Sequence, residues 1–178
     1  MRQVNWGIVG LGNIAEKFAK AFQFSKNAKL LGIASLDQKK INKFQDKFQI
    51  EEKYCFSSYE KLLSCSDVDI IYIALPNSLH HEWIVKCIEK EKKILVEKPA
   101  TTNFFQIKDI QNKLSDKNLL FSEAFMYRFH PQIIKVVELI KDNTIGELIS
   151  LESSFGVDIL TKKNLFGFKK RKKLNKES

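Results

Sequence analysis

Near the N-terminus, Gly10-Leu11-Gly12-Asn13-Ile14-Ala15 sets two glycines and an alanine in G-x-G-x-x-A spacing. Glycine at 10 allows a tight turn, glycine at 12 lets main chain approach a pyrophosphate, and Ala15 keeps the next helix close to the preceding strand. A helix starting at Asn13 and Ile14 turns free N–H groups and its positive dipole end toward the phosphates. A plain βα corner uses the same glycines, so the pattern is weak alone. About 20 residues further on, an acid meets the ribose hydroxyls when the dinucleotide is NAD. Ser35 and Asp37 fall at that distance. Asp37 either takes this role or caps the lysine-rich helix behind it, whereas Ser35 with Lys39 or Lys40 suits the extra phosphate of NADP. The cofactor is thus NAD or NADP, with the choice open. A third group is Glu97-Lys98-Pro99-Ala100. A lysine fixed between an acid and a proline can hydrogen-bond a substrate hydroxyl and relay its proton. On spacing alone, a solvated surface lysine is the plainer reading.

These residues need elements to position them, and the hydrophobic pattern supplies a strand–helix alternation. Gln3 to Val9 reads as a strand and Asn13 to Phe24 as a helix, with Ile14, Phe18 and Phe22 along one face. Leu30 to Ala34 is a second strand, followed by a helix from Gln38 to Phe48 with Ile41, Phe44 and Phe48 inward. Lys53 to Phe56 predicts a short third strand, and Ser57-Ser58-Tyr59-Glu60 has capping-box form. "DIIYIAL", Asp69 to Leu75, is apolar throughout, as a strand covered on both faces must be. A helix follows from Leu79 to Glu91, then a fifth strand ending at Pro99, a helix capped by Thr102 or Asn103, a sixth strand near Leu119 to Ser122, and a helix from Pro131 to Lys141. Such alternation predicts an α/β fold, a doubly wound parallel sheet of Rossmann type. From Ile145 the period becomes 2, predicting a half-exposed strand from Leu148 to Phe155 and the first strand of a second α/β domain. Residues 1–122 are expected to form the nucleotide-binding domain, 123–161 the start of an incomplete second domain, and 162–178 a basic tail.

The chain has 178 residues, 44% apolar and 29% charged, which is the composition of a folded globular protein. Its net charge of +9 does not signal nucleic-acid binding. From Lys162 to the end, eight basic residues face Glu177 alone, so the tail carries seven of the nine charges and the body is nearly balanced. Cys55, Cys65 and Cys87 form no CxxC pair and read as reduced thiols, without a metal or disulfide role. No apolar run approaches the ~18 residues of a membrane span, and no export signal is legible, which gives a cytoplasmic expectation.

Four segments taken together carry a resemblance: the G-x-G-x-x-A opening, "ALPNSLHHEW" from Ala74 to Trp83, "VEKPA" from Val96 to Ala100, and "EAFMYRFHP" from Glu123 to Pro131. In that order and spacing the chain resembles the Gfo/Idh/MocA oxidoreductases over roughly residues 1 to 160, with the last segment leaning toward dihydrodiol dehydrogenase and glucose-fructose oxidoreductase. The resemblance implies hydride transfer between NAD or NADP and a sugar, polyol or related hydroxyl or carbonyl substrate, and full-length relatives that form homo-oligomers. It implies that Lys98 is the catalytic lysine. Pro76, Asn77 and His80 match the loop beside the cofactor, Glu97 the residue beside the nicotinamide ribose, and Tyr127, Arg128 and His130 the approach to the substrate cleft. Plainer roles stand beside these: His80 as a helix start, Arg128 as the partner of a core carboxylate. Family members also carry, further along, a glycine-rich stretch with an Asp and a His that position the substrate hydroxyl. The only histidines here are His80, His81 and His130. A family member cut short is the expectation, with an inactive nucleotide-binding module as the alternative.

Overall fold

The computed structural model describes residues 3–154 and 156. They belong to two compact units, the first ending at Arg128 and the second beginning at Phe129.

The first unit is built on six parallel strands: β1 (Val4–Val9), β2 (Ala28–Ala34), β3 (Cys55–Phe56), β4 (Ile70–Ile73), β5 (Lys93–Val96) and β6 (Phe121–Glu123). Their order across the sheet is β3-β2-β1-β4-β5-β6. The order reverses between β1 and β4, and open α/β sheets bind their ligands in the crevice at the carboxyl end of that switch point. The strands alternate between two cores. Ile8, Ile33 and Tyr72 pack with α1 (Asn13–Ala21) and α2 (Gln38–Phe48). Val9, Ile71 and Ile73 pack on the opposite face with α3 (Tyr59–Leu63), α4 (Asn77–Glu89) and α5 (Phe104–Leu114). Both faces are covered, which is why "DIIYIAL" has no polar alternation.

Several element boundaries differ from the sequence expectation. α1 stops at Ala21 and a single 3₁₀ turn covers Phe22–Phe24. Its buried residues are Ala15 and Ala19, while Ile14 is 37% exposed. A helix this close to β1 has room only for small side chains, so the aromatic stripe lies to one side. There Phe18 and Phe22 make edge contacts with Trp6 at 5.5 and 5.9 Å. The third strand keeps only Cys55–Phe56, since Glu52–Tyr54 forms a 3₁₀ turn. Ser58, not Ser57, caps α3, through Lys61 N–H. α4 begins at Asn77, two residues earlier than its apolar pattern, and β5 ends at Val96, ahead of a cis Lys98–Pro99 peptide. At α5 the cap is Asn103, accepting from Gln106 N–H at 3.1 Å while the Gln106 side chain accepts from Thr102 N–H at 3.0 Å.

In the second unit, α6 spans Pro131–Lys141 as its pattern predicts, with His130 as its cap. The expected strand from Leu148 does not form: residues 148–154 carry no ladder. Period-2 alternation prepares a segment for pairing, but a strand exists only with a neighbour, and among the described residues none pairs with it. Phe155 and the basic tail lie outside the described residues.

Candidate functional site

Backbone hydrogen bonds trace the carboxyl edge of the sheet. Gly10 N–H donates to Ala34 O at 3.0 Å, Ala74 N–H to Val9 O at 2.9 Å, Glu97 N–H to Ile73 O at 3.0 Å and Ala124 N–H to Val96 O at 2.9 Å. Gly10, Ala74, Glu97 and Ala124, each just past its strand, therefore share one edge.

At the glycine turn, Gly10 has φ +89°, and a β-carbon there would lie 2.7 Å from Ala74 O. Only glycine fits. Gly12 is different: a β-carbon on it would meet no protein atom within 4 Å. It caps α1 without any side-chain hydrogen bond, so the first-turn N–H groups, with Asn13 and Ile14 exposed beside them, remain open for an anion. A cavity of about 320 Å³ runs from this turn to α2, lined by Gly12, Asn13, Glu16, Lys40, Lys43 and neighbours. The Lys47 and Lys43 ammonium groups, hydrogen-bonded to Glu16, hold its carboxyl below the usual carboxylate range.

Ser35 follows β2 directly and is buried, its Oγ accepting from Asp37 N–H at 3.1 Å. Asp37 is the cap of α2: its Oδ1 accepts from Lys39 N–H at 2.9 Å. Of the two readings left open for Asp37, the helix cap is the one its geometry displays.

Glu97, Pro99 and Ala100 are each tied by a side chain from a different element. Tyr72 of β4 donates its hydroxyl to Glu97 Oε1 at 2.5 Å. His80 of α4 sets Nδ1 2.8 Å from Pro99 O and Nε2 2.8 Å from Leu75 O. Glu123 of β6 accepts from Ala100 N–H at 2.7 Å. Burial, and next the bond to Glu97, push the Tyr72 hydroxyl far above its ordinary range. Lys98 is exposed, and among the described residues its ammonium has no hydrogen-bond or ion-pair partner. The turn is thus bolted at three points around one displayed amine.

His80 calls for a correction. It is fully buried at 0% exposure with both ring nitrogens against main-chain carbonyls, so it has no face to offer a cofactor. It joins the Leu75–Pro76–Asn77 loop to the lysine turn, while Pro76 and Asn77 themselves are exposed. Tyr127 and Arg128 lie exposed in the 3₁₀ turn Met126–Phe129, and among the described residues neither forms an ion pair with a carboxylate. His130 belongs to the second unit, where its Nδ1 accepts from Gln132 N–H at 3.2 Å. Two positioning groups went unread in the sequence. Tyr72 is a lone hydroxyl in an aliphatic run, which needs a buried partner, and Glu123 opens a segment read for Tyr127, Arg128 and His130.

With this geometry in view, comparison with known proteins is direct. The profile of an oxidoreductase family with an NAD-binding Rossmann fold, GFO_IDH_MocA, matches residues 4–125. The chain belongs to that family. It is 30% identical over 156 residues to trans-1,2-dihydrobenzene-1,2-diol dehydrogenase of Xenopus tropicalis, covering 86% of this chain and 47% of that one. It is 31% identical over 150 residues to D-xylose 1-dehydrogenase (NADP(+)) 2 of Haloferax volcanii, covering 84% and 45%. The crystal structure of KijD10, a 3-ketoreductase from Actinomadura kijaniata in complex with NADP, superposes with a TM-score of 0.72 at 31% identity, covering 82% of this chain and 46% of that one. Scyllo-inositol dehydrogenase from Lactobacillus casei, with bound NAD(H) and scyllo-inositol, shares the fold at a TM-score of 0.75, with 24% identity over 82% of this chain and 43% of that one. The chain spans about half the length of the relatives it matches.

Proposed function

We propose that this chain is the cofactor-holding part of an NAD(P)-dependent oxidoreductase that transfers hydride to or from a sugar, polyol or related hydroxyl or carbonyl compound. The observation that carries the reading is the Glu97–Ala100 turn: two side chains fix its backbone, a third holds the Glu97 carboxylate, and Lys98 is displayed at the carboxyl edge. The glycine turn, the open first turn of α1 and the exposed Pro76 and Asn77 suit a dinucleotide laid along that edge. Gly12 supports it further, because the protein's own packing gives no reason for a glycine there.

When bound, a nicotinamide ring supplies the acceptor or donor of hydride. The protein's contribution is orientation and proton handling. Lys98 Nζ hydrogen-bonds the substrate oxygen and moves its proton as the carbon–hydrogen bond is broken or made. Tyr127 and Arg128 are assigned to the substrate side. A reducing, cytoplasmic setting accords with three unpaired cysteines, one of which, Cys87, has its thiol pushed up to about 12 by burial.

Calorimetry on the 178-residue chain tests the cofactor half of this reading. Heat of binding with NAD(H) or NADP(H) is the expected result, and silence from both at millimolar concentration would sink it. Lys98→Ala tests the chemistry: dinucleotide affinity should hold within about twofold while polyol-dependent nicotinamide turnover falls about a hundredfold or more. Turnover unchanged in that variant would remove Lys98 from the mechanism.

A further inference from the structure

We propose that the dinucleotide this chain prefers is NADP, its 2′-phosphate held at the corner between β2 and α2 by Ser35, Lys39 and Lys40. This rests on the cofactor reading above and goes beyond it by choosing between the two dinucleotides.

The ribose next to adenine sits past the end of the strand beside the glycine turn. The 3.0 Å bond from Gly10 N–H to Ala34 O fixes that strand end, and Ser35 is the next residue. NAD selection needs a carboxylate there, to bond the 2′-hydroxyl and repel a phosphate. Ser35 has no charge to repel with. Because its Oγ already accepts from Asp37 N–H, its own proton is the part left to donate, and among the described residues no acceptor takes it. The nearest acid is Asp37, two positions on, and its Oδ1 is spent on the Lys39 N–H as the cap of α2.

The charge balance points the same way. Lys39 and Lys40 stand exposed in the first turn of α2, and among the described residues no carboxylate lies within ion-pair distance of either. Glu16 shares the cavity wall with Lys40, yet it is matched by Lys47 at 2.6 Å and Lys43 at 3.3 Å. Against Lys39 and Lys40 only Asp37 remains, so the corner keeps a positive excess, and the N-terminal end of the α2 dipole adds to it. A phosphate monoester of charge about −1.5 to −2 fits that corner, whereas a bare hydroxyl gains nothing from two lysines.

The test is a pair of titrations on the 178-residue chain, following nicotinamide fluorescence with NADPH and with NADH at about 0.1 M salt. NADPH should bind about tenfold tighter or more, and 2′,5′-ADP should displace it far better than 5′-AMP. Ser35→Asp should reverse the preference. Lys40→Glu, a change at an exposed position, should weaken NADPH about tenfold more than it weakens NADH. NADH bound as tightly as NADPH would overturn this inference and leave the cofactor reading standing. Binding of neither would overturn both.

Discussion

The turn from Gly10 to Gly12 and the turn from Glu97 to Ala100 lie on the same sheet edge, yet they are held by different means. At the first, conformation follows from side chains that are missing: φ is +89° at Gly10, and Ala74 O stands where a β-carbon would go. At the second, conformation follows from side chains that arrive from afar, Tyr72, His80 and Glu123, each from a separate element. A turn made by absence is intolerant of addition. A turn made by three bonds loses its order in steps.

Gly10→Ala should be the most damaging change. Left-handed strain together with a clash against main chain that cannot rotate away should cost about 3 to 5 kcal/mol, read as a lowered urea midpoint. A midpoint within about 0.5 kcal/mol of the parent would mean the turn can relax, and the contrast would fail.

Next comes His80→Phe, which removes the ring whose nitrogens lie 2.8 Å from the Leu75 and Pro99 carbonyls and should cost about 1 to 3 kcal/mol. It should also weaken dinucleotide binding, since the Pro76–Asn77 loop and the lysine turn would no longer be joined. Unchanged binding in a folded variant would show that the two loops hold their places independently.

Tyr72→Phe should cost about 1.5 kcal/mol through loss of the bond to Glu97. It also has a pH signature. Below about pH 10 the folded and unfolded chains both keep the phenol protonated, and its contribution is complete. Above that, the unfolded chain gives up the proton while the folded chain holds it, so stability falls as pH rises. Cys87 adds a loss of the same sign between its ordinary range and about 12. Urea midpoints measured from pH 8 to about 10.5 should slope downward, less steeply in the Phe variant. Equal slopes would remove Tyr72 as a source.

Gly12→Ala should be the mildest for the fold, about 1 kcal/mol or less from the poorer helix cap, because nothing in the protein meets the added carbon. Its effect should fall on dinucleotide affinity instead. Loss of stability with affinity intact would reverse the roles given to the two glycines.

The contrast also explains what could be read from residue order. The glycine turn was legible because its cause is local: the residues that define it are those that form it, and β1 and α1 flank it as their periods predict. The parallel sheet was legible for a similar reason, since a continuous apolar run such as Ile70–Ile73 has few other places to go. His80 was misread as facing the cofactor because its partners, Leu75 and Pro99, are carbonyls, and every residue carries one. No side-chain pattern can mark them. Ile14 shares its helical face with Phe18 and Phe22, but the tight seat of α1 on β1 admits Ala15 and Ala19 and turns the larger side chain out. The alternation after Ile145 recorded a capacity for pairing, which residues 148–154 do not realise.

The strand order carries one more consequence, in the time it takes to make the molecule. Synthesis runs from the N-terminus, so β1, β2 and β3 leave the ribosome well before β4, which must insert against the far side of β1. Until Ile70–Ile73 emerges, that side of β1 is a bare edge with unpaired main-chain groups. The same late arrival makes the crevice, because the wall opposite the glycine turn comes with β4 and the loop behind it. A nascent chain therefore holds Gly10 and Gly12 for some time before the crevice they border exists.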